Sequence, residues 1–183
     1  MKTVALFGGS FDPPHIGHIA IVDKLLSAED ISHVVVMPTY LNPLKKCFFA
    51  PATTRLKWLQ TIFKNRCGVE VSDWEVKQNK KVPTIQTARM LLKSYDKVFV
   101  VIGADNFATL NRWQNYMELH NIVEFIVVTR DTIVLPKKLR TIPLAVAVSS
   151  TALRKQLQKE HLPKEVANEI EMLYKKEKNG HES

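Results

Sequence analysis

Val4-Ala5-Leu6-Phe7-Gly8-Gly9-Ser10-Phe11-Asp12-Pro13-Pro14-His15-Ile16-Gly17-His18, with the largely apolar stretch Ile19 to Leu26 behind it, decides how this chain folds. A short apolar run, a turn holding two glycines and a longer apolar run spell strand, tight turn, helix. The glycines lack a Cβ, so backbone N–H groups of the turn can approach an anion closely. The following helix directs its unpaired N-terminal N–H groups and partial positive charge at the same spot. Pro13 and Pro14 stiffen the approach, and proline is well tolerated at a helix start. His15 and His18 fall on one face of the first helical turn, and Gly17 between them leaves room for a ligand. Taken singly, two glycines make an ordinary turn and one histidine an ordinary surface or core residue. Taken together they read as a nucleotide phosphate site with imidazole donors.

Working outward, strands are expected at 3–8, 32–37, 69–72, 97–102 and 123–129, with a short one at 144–148. Runs such as Val34-Val35-Val36 and Val98-Phe99-Val100-Val101-Ile102 are continuous and β-branched, as in strands covered on both faces. Helical periodicity alternates with them. Leu56, Leu59, Ile62 and Phe63 share a face, as do Ala88, Leu91, Leu92 and Tyr95. A last helix is expected from Pro163, with Val166, Ile170 and Leu173 on its apolar face, acids early and lysines late. Alternating βα units imply an α/β fold: a doubly wound, open parallel sheet. The expected organisation is one domain over 1–183, with an α/β core at 1–148, C-terminal helices at 149–178 and a disordered tail at 179–183. Open sheets bind ligands beyond the carboxyl ends of their strands, so the residues after Gly8, Pro38 and Gly103 should meet in one cleft.

Three further segments carry chemistry. Ser149-Ser150-Thr151-Ala152-Leu153-Arg154 opens a helix. One hydroxyl there suffices as an N-cap. Three, with Arg154 one turn after Ser150, also suit a polyphosphate. Ile102-Gly103-Ala104-Asp105 ends a strand, and Asp105 either caps the next helix or accepts ribose hydroxyls. Trp113, flanked by Asn111, Arg112, Gln114 and Asn115, should be partly exposed and able to stack on a flat ring.

Neither Gly-x-Gly-x-x-Gly nor Gly-x-x-x-x-Gly-Lys-Ser/Thr is present. His15-Ile16-Gly17-His18 instead resembles the motif of the nucleotidyltransferase superfamily that includes class I aminoacyl-tRNA synthetases. The longer string from Gly8 to His18 resembles bacterial nicotinate-nucleotide adenylyltransferases in particular. Ser149-Ser150-Thr151 with Arg154, and Gly103-x-Asp105 followed by Trp113, resemble further motifs of that family in the same order, and the likeness runs from Leu6 to Arg154. The resemblance implies a Rossmann-like nucleotidyltransferase that transfers AMP from ATP to nicotinate mononucleotide, yielding nicotinate adenine dinucleotide and pyrophosphate in NAD biosynthesis. It implies catalytic roles for His15, His18 and Arg154. ATP and its phosphates would be bound by Gly8, Gly9, Ser10 and Phe11, by Gly103 and Asp105, and by Ser149, Ser150 and Thr151. Nicotinate mononucleotide would be bound by Lys45, by Thr84 and Ile85 at the start of a Thr-x-x-Thr helix, and by Trp113. Thr84 reads equally as a helix cap. Where the family usually shows Pro-Pro-His-Lys, this chain has Pro43-Leu44-Lys45 and lacks the histidine; Lys46 could substitute for Lys45. Arg55 and Arg130 match family arginines without an assigned role. Mg2+ would ride on the ATP phosphates, with no protein metal site.

Other readings are separable. Pantetheine-phosphate adenylyltransferases usually have one glycine in the first motif, and cytidylyltransferases an Arg-Thr-x-Gly-Ile stretch, which Ala147-Val148-Ser149 replaces here. A nicotinamide mononucleotide acceptor differs by one group, which side-chain identity does not decide. A non-catalytic nucleotide- or RNA-binding module is the remaining alternative; the paired histidines and Arg154 argue against it.

The composition agrees. At 183 residues, with 45% hydrophobic and 24% charged, the chain has the makeup of a soluble globular domain with a real core. No apolar run reaches the roughly 18 residues of a membrane span, and no leader pattern precedes the first strand. A net charge of +8 favours anionic partners. Lysine pairs are scattered without interleaved aromatics, so no nucleic-acid partner is expected. Two cysteines, Cys47 and Cys67, without metal-ligand spacing fit free thiols in a cytoplasmic protein. The sequence leaves the oligomeric state open, a homo-oligomer included. The length and Pro, Asn and Lys content of 38–51 suit a loop that moves over substrate.

Overall fold

The computed structural model describes residues 1–41, 48–129, 139–144 and 148–180. Six strands form one sheet: β1 (Thr3–Gly9), β2 (His33–Pro38), β3 (Val69–Val71), β4 (Lys97–Gly103), β5 (Glu124–Thr129) and β6 (Arg140–Pro143). Their order is β3-β2-β1-β4-β5-β6, and every pairing is parallel. The winding direction therefore reverses between β1 and β4, the switch point of a doubly wound sheet.

The continuous apolar runs follow from burial on both faces. Along each strand alternate side chains enter different cores. Ala5, Phe7, Val34, Val36, Phe99, Val101, Ile126 and Val128 face one side. There they pack on Ile21, Val22 and Leu25 of α1 (Ile16–Leu26) and on Leu59 and Phe63 of α2 (Ala52–Phe63). Val4, Leu6, Val35, Met37, Val98, Val100, Ile102 and Val127 face the other side. They meet Ile85, Ala88 and Leu91 of α4 (Thr84–Leu91) and Leu119 of α6 (Tyr116–Ile122). Each fully buried valine or leucine contributes about 1.5–3 kcal/mol. A third core joins Ala50 and Trp58 to Val148, to Leu153 of α7 (Ser150–Lys155), and to Ile170 and Tyr174 of α8 (Ala167–Gly180). It fastens the C-terminal helices beside α1 and α2. Two four-residue helices, α3 (Trp74–Lys77) and α5 (Ala104–Phe107), sit at the carboxyl edge of the sheet, each after its strand.

Four boundaries differ from expectation. The helix expected to carry Ala88, Leu91, Leu92 and Tyr95 on one face ends at Leu91, with Leu92 as its C-cap and Tyr95 beyond it. The last strand lies at Arg140–Pro143, not at 144–148, of which 145–147 fall outside the described residues. As an edge strand it pairs only with β5 and buries only Ile142, so its sequence is too polar to stand out. The final helix begins at Ala167. Residues 163–166 form a turn in which Val166 N–H donates to the Pro163 carbonyl (3.1 Å). That helix runs to Gly180 and so takes in the first two residues of the expected tail, while 181–183 lie outside the described residues.

Candidate active site

The sheet opens at its switch point. Pairing of β1 with β4 runs from Thr3–Lys97 to Leu6–Val100 and stops there. Beyond it β1 continues to Gly9 against β2 alone, and β4 continues to Gly103 against β5 alone. Gly8 and Gly103 border this gap, and both are exposed. Among the described residues, a Cβ on Gly103 would meet nothing within 4 Å, and one on Gly8 would touch only the Met37 carbonyl at 4.0 Å. Packing among the described residues does not require glycine at either place, so the bare backbone there leaves room for a ligand.

On the α1 side of the gap, His15 is the N-cap of α1 and His18 its third residue. The rings stack with centroids 3.6 Å apart and planes 19° apart. His15 is buried at 1% exposure, whereas His18 is half-buried and packs edge-on against Phe11. The His15 backbone N–H donates to His18 Nδ1 at 3.1 Å. An accepting Nδ1 carries no proton, so neutral His18 has its proton on Nε2 and is a donor there. Gly17 does not leave room for a ligand. A Cβ there would lie 3.0 Å from His15 Nδ1 and 3.1 Å from Val148 Cγ1, so the vacant space seats the His15 ring and the third core. The Phe11 ring is likewise in the core at 2% exposure, with φ of 48°, so only its backbone could meet a ligand.

The second hydroxyl-rich segment lies against this turn. Ser149 is the N-cap of α7, accepting from Ala152 N–H at 3.1 Å, so this serine does cap the helix. Ser150 Oγ donates to the Pro13 carbonyl (2.9 Å). Arg154 donates to the Asp12 carbonyl (2.5 Å) and to Thr151 Oγ1 (3.0 Å). The structure thus brings Ser150 and Arg154, with Thr151 bonded to Arg154, onto the Asp12-Pro13 backbone that leads into His15, over 130 residues away in sequence.

A buried polar hub supports the arrangement, and the sequence reading gave it no role. Asp12, 1% exposed, accepts from Phe49 N–H (2.9 Å), Ala50 N–H (3.0 Å) and the Tyr174 hydroxyl. Burial, then the Asp12 charge and hydrogen bond, push the Tyr174 phenol far up, so it is a permanent donor. Arg55 is fully buried and donates to the carbonyls of Ala50, Ser10, Thr39 and Tyr40 at 2.6–3.1 Å. Burial lowers its pKa and the nearby Asp12 charge opposes the shift. Arg55 therefore clamps the first turn, the end of β2 and the start of α2 together. One sign was available: Arg55 shares the apolar stripe of α2 with Leu59 and Ile62.

The other candidates lie on the α4 side. Asp105 is the second residue of α5, exposed, and Gly103 is the N-cap. Thr84 is the first residue of α4 after the N-cap Pro83, so it does not cap the helix; Ile85 is core at 2% exposure. Trp113 is half-exposed and packs on the second core, as its polar neighbours suggest. Lys45, with Lys46 and Cys47, and Arg130 lie outside the described residues. Among the described residues no group of three or more His, Cys, Asp or Glu side chains is placed to hold a metal ion, and no helix is long and apolar enough to cross a membrane.

A family model described as cytidylyltransferase-like matches residues 6–156. A Sulfurimonas denitrificans protein described as “probable nicotinate-nucleotide adenylyltransferase” is 52% identical over 177 residues, covering 97% of each chain. The chain belongs to the nicotinate-nucleotide adenylyltransferases of the cytidylyltransferase-like family. A Nitratiruptor member described in the same words is 43% identical over 94% of this chain and 98% of its own. A Plasmodium falciparum nicotinic acid mononucleotide adenylyltransferase, solved with NaAD, shares the fold with a TM-score of 0.73 at 21% identity, over 94% of this chain and 90% of its own. Nicotinate-nucleotide adenylyltransferase membership and the open switch point thus agree with the alternation of strands and helices.

Proposed function

We infer that the protein transfers AMP from ATP to nicotinate mononucleotide, releasing pyrophosphate and forming nicotinate adenine dinucleotide for NAD biosynthesis. The observation that carries this reading is the gap between the ends of β1 and β4, bordered by Gly8 and Gly103 and flanked by the His18 imidazole. The full-length likeness to nicotinate-nucleotide adenylyltransferases supports the substrates.

The acceptor's 5′-phosphate is already ionised and attacks the α-phosphorus in line with departing pyrophosphate. No protein nucleophile or strong base is needed, and catalysis is positioning and charge stabilisation. His18 Nε2–H donates to the α-phosphate, and His15 holds the His18 ring from below. The turn backbone at Gly8, Gly9, Ser10 and Phe11 cradles ATP. Arg154, Ser150 and Thr151 exchange their present partners for the β- and γ-phosphates, a displacement their shared edge of the site makes short. Gly103 backbone and the Asp105 carboxylate take the ribose side. Trp113 stacks on the pyridine ring, the N–H groups of Thr84 and Ile85 receive its carboxylate, and Lys45 meets the mononucleotide phosphate. Mg2+, held by the ATP phosphates rather than by a protein cluster, would neutralise phosphate charge. The enzyme would act in the cytoplasm, without nucleic acid.

Incubation with ATP, Mg2+ and nicotinate mononucleotide, read by chromatography, tests the reading. Nicotinate adenine dinucleotide and pyrophosphate should appear in equal amounts. ATP left intact would contradict it.

A further inference from the structure

Glu75, on α3, is a carboxylic acid in an apolar setting. It is 5% exposed. Its Oε1 accepts from Thr87 Oγ1 at 2.6 Å, and its Oε2 is buried without a hydrogen-bond partner. Thr87 is fully buried in α4, one turn from Thr84. The carboxyl group therefore lies behind the first turn of α4. That turn has no acidic residue of its own, and its N-cap, Pro83, provides no side-chain acceptor.

Among the described residues, the charged groups on the neighbouring elements are paired elsewhere or exposed and supply Glu75 no counter-charge. On α3 and its cap, Lys77 pairs with Asp73 at 2.8 Å. On α4, Arg89 pairs with Glu118 of α6. On α2, Arg55 is bound to carbonyls and Lys57 lies 3.7 Å from Glu169. On β2, His33 pairs with Glu70 of β3 at 3.8 Å, at the far end of the strand. Lys80 and Lys81, in the connection to α4, are exposed. None of these is among the influences on the group. Burial pushes the Glu75 carboxyl up to about 7, and the Thr87 hydrogen bond acts in the opposite direction.

We propose that Glu75 is a positioning residue for the acceptor: its uncharged carboxyl fixes Thr87 and keeps the first turn of α4 receptive to an anion, and its ionisation weakens acceptor binding. The inference rests on the reading that the acceptor's carboxylate docks on the α4 N-terminus. A helix N-terminus attracts one negative charge through its partial positive charge. A carboxylate built in behind that turn competes for the same field. A neutral acid leaves the field to the ligand while still accepting from Thr87.

The test is KM for nicotinate mononucleotide and for ATP between about pH 6 and about pH 8.5, in the unmodified protein and in Glu75→Gln. Glutamine accepts from Thr87 and never ionises. The unmodified protein should show KM for the mononucleotide rising about fivefold over this range, from the worth of one charge at a helix terminus, while KM for ATP does not follow it. Glu75→Gln should lack that rise. Thr87→Val removes the bond that favours ionisation, so it should move the rise to higher pH, and it tests the idea independently of how Glu75→Gln folds. The same pH dependence in all three proteins overturns the proposal and leaves the acceptor assignment standing. Turnover with a different acceptor, and none with nicotinate mononucleotide at any pH, overturns the assignment and the proposal with it.

Discussion

The proposed role of His18 rests on a backbone contact. The His15 N–H donates to Nδ1, so neutral His18 has its proton on Nε2, and the His15 ring stacks on it. His18→Ala should lower kcat by on the order of 10²-fold, the usual loss for one such donor; rapid-quench or steady-state turnover near the unmodified rate would remove His18 from the chemistry. Trp113→Ala should raise KM for the mononucleotide and spare KM for ATP. An equal rise in both would put the pyridine ring elsewhere. Tyr174→Phe removes one donor from the buried Asp12 carboxylate, which keeps the Phe49 and Ala50 N–H groups. Urea denaturation should show a loss of about 1.5–3 kcal/mol, the worth of a hydrogen bond to a charged group. No loss would mean that the hub does not depend on α8. At this scale the stacked histidines and the half-exposed Trp113 stood out in the sequence, as did Ser150 and Arg154, because each lies in a short motif. The hub was not. Asp12 and Tyr174 are 162 positions apart, and no local pattern encodes such a meeting.

The elements were legible where they are long or doubly covered. The strand runs are apolar because both faces are packed, α1 and α2 are apolar on one side along their length, and α4 carries Ala88 and Leu91 of its expected stripe. α3 and α6 span only four and seven residues, too short for a periodic signal, and were missed, whereas the short α5 was expected from the strand end at Gly103 and Asp105. The edge strand β6 was displaced for the opposite reason: the neighbouring Leu144 to Val148 is more apolar than the strand itself. Because α3 was missed, the Glu75–Thr87 pair that joins it to α4 was missed as well. That pair carries a prediction about stability. The Glu75 carboxyl goes from its ordinary 4.5 when unfolded to about 7 when folded. Between those values the unfolded chain releases the proton first, so native stability falls as pH rises and levels off above about 7. The full difference corresponds to about 3 kcal/mol. Glu75→Gln should therefore gain on the unmodified protein as pH goes from 4.5 to 7 in urea denaturation, and stay ahead beyond it. A gap between the two proteins that does not change with pH would contradict the buried-acid account.

For the whole molecule, strand order and site are one fact. The order β3-β2-β1-β4-β5-β6 puts the reversal between β1 and β4, and the pairing there ends before either strand does. α1 carries His18 on one face of the sheet, with Ser150 and Arg154 of α7 bonded to the Pro13 and Asp12 carbonyls just before it, while α4 and Trp113 pack on the other face. The net charge of +8 adds a long-range attraction for two phosphorylated substrates. Which acceptor enters is the central claim. It is tested most directly by kcat/KM for pyrophosphate release with ATP and Mg2+, using nicotinate mononucleotide, nicotinamide mononucleotide and phosphopantetheine in parallel. The account predicts a clear preference for nicotinate mononucleotide. A preference for either other acceptor, or release with none of them, would contradict it.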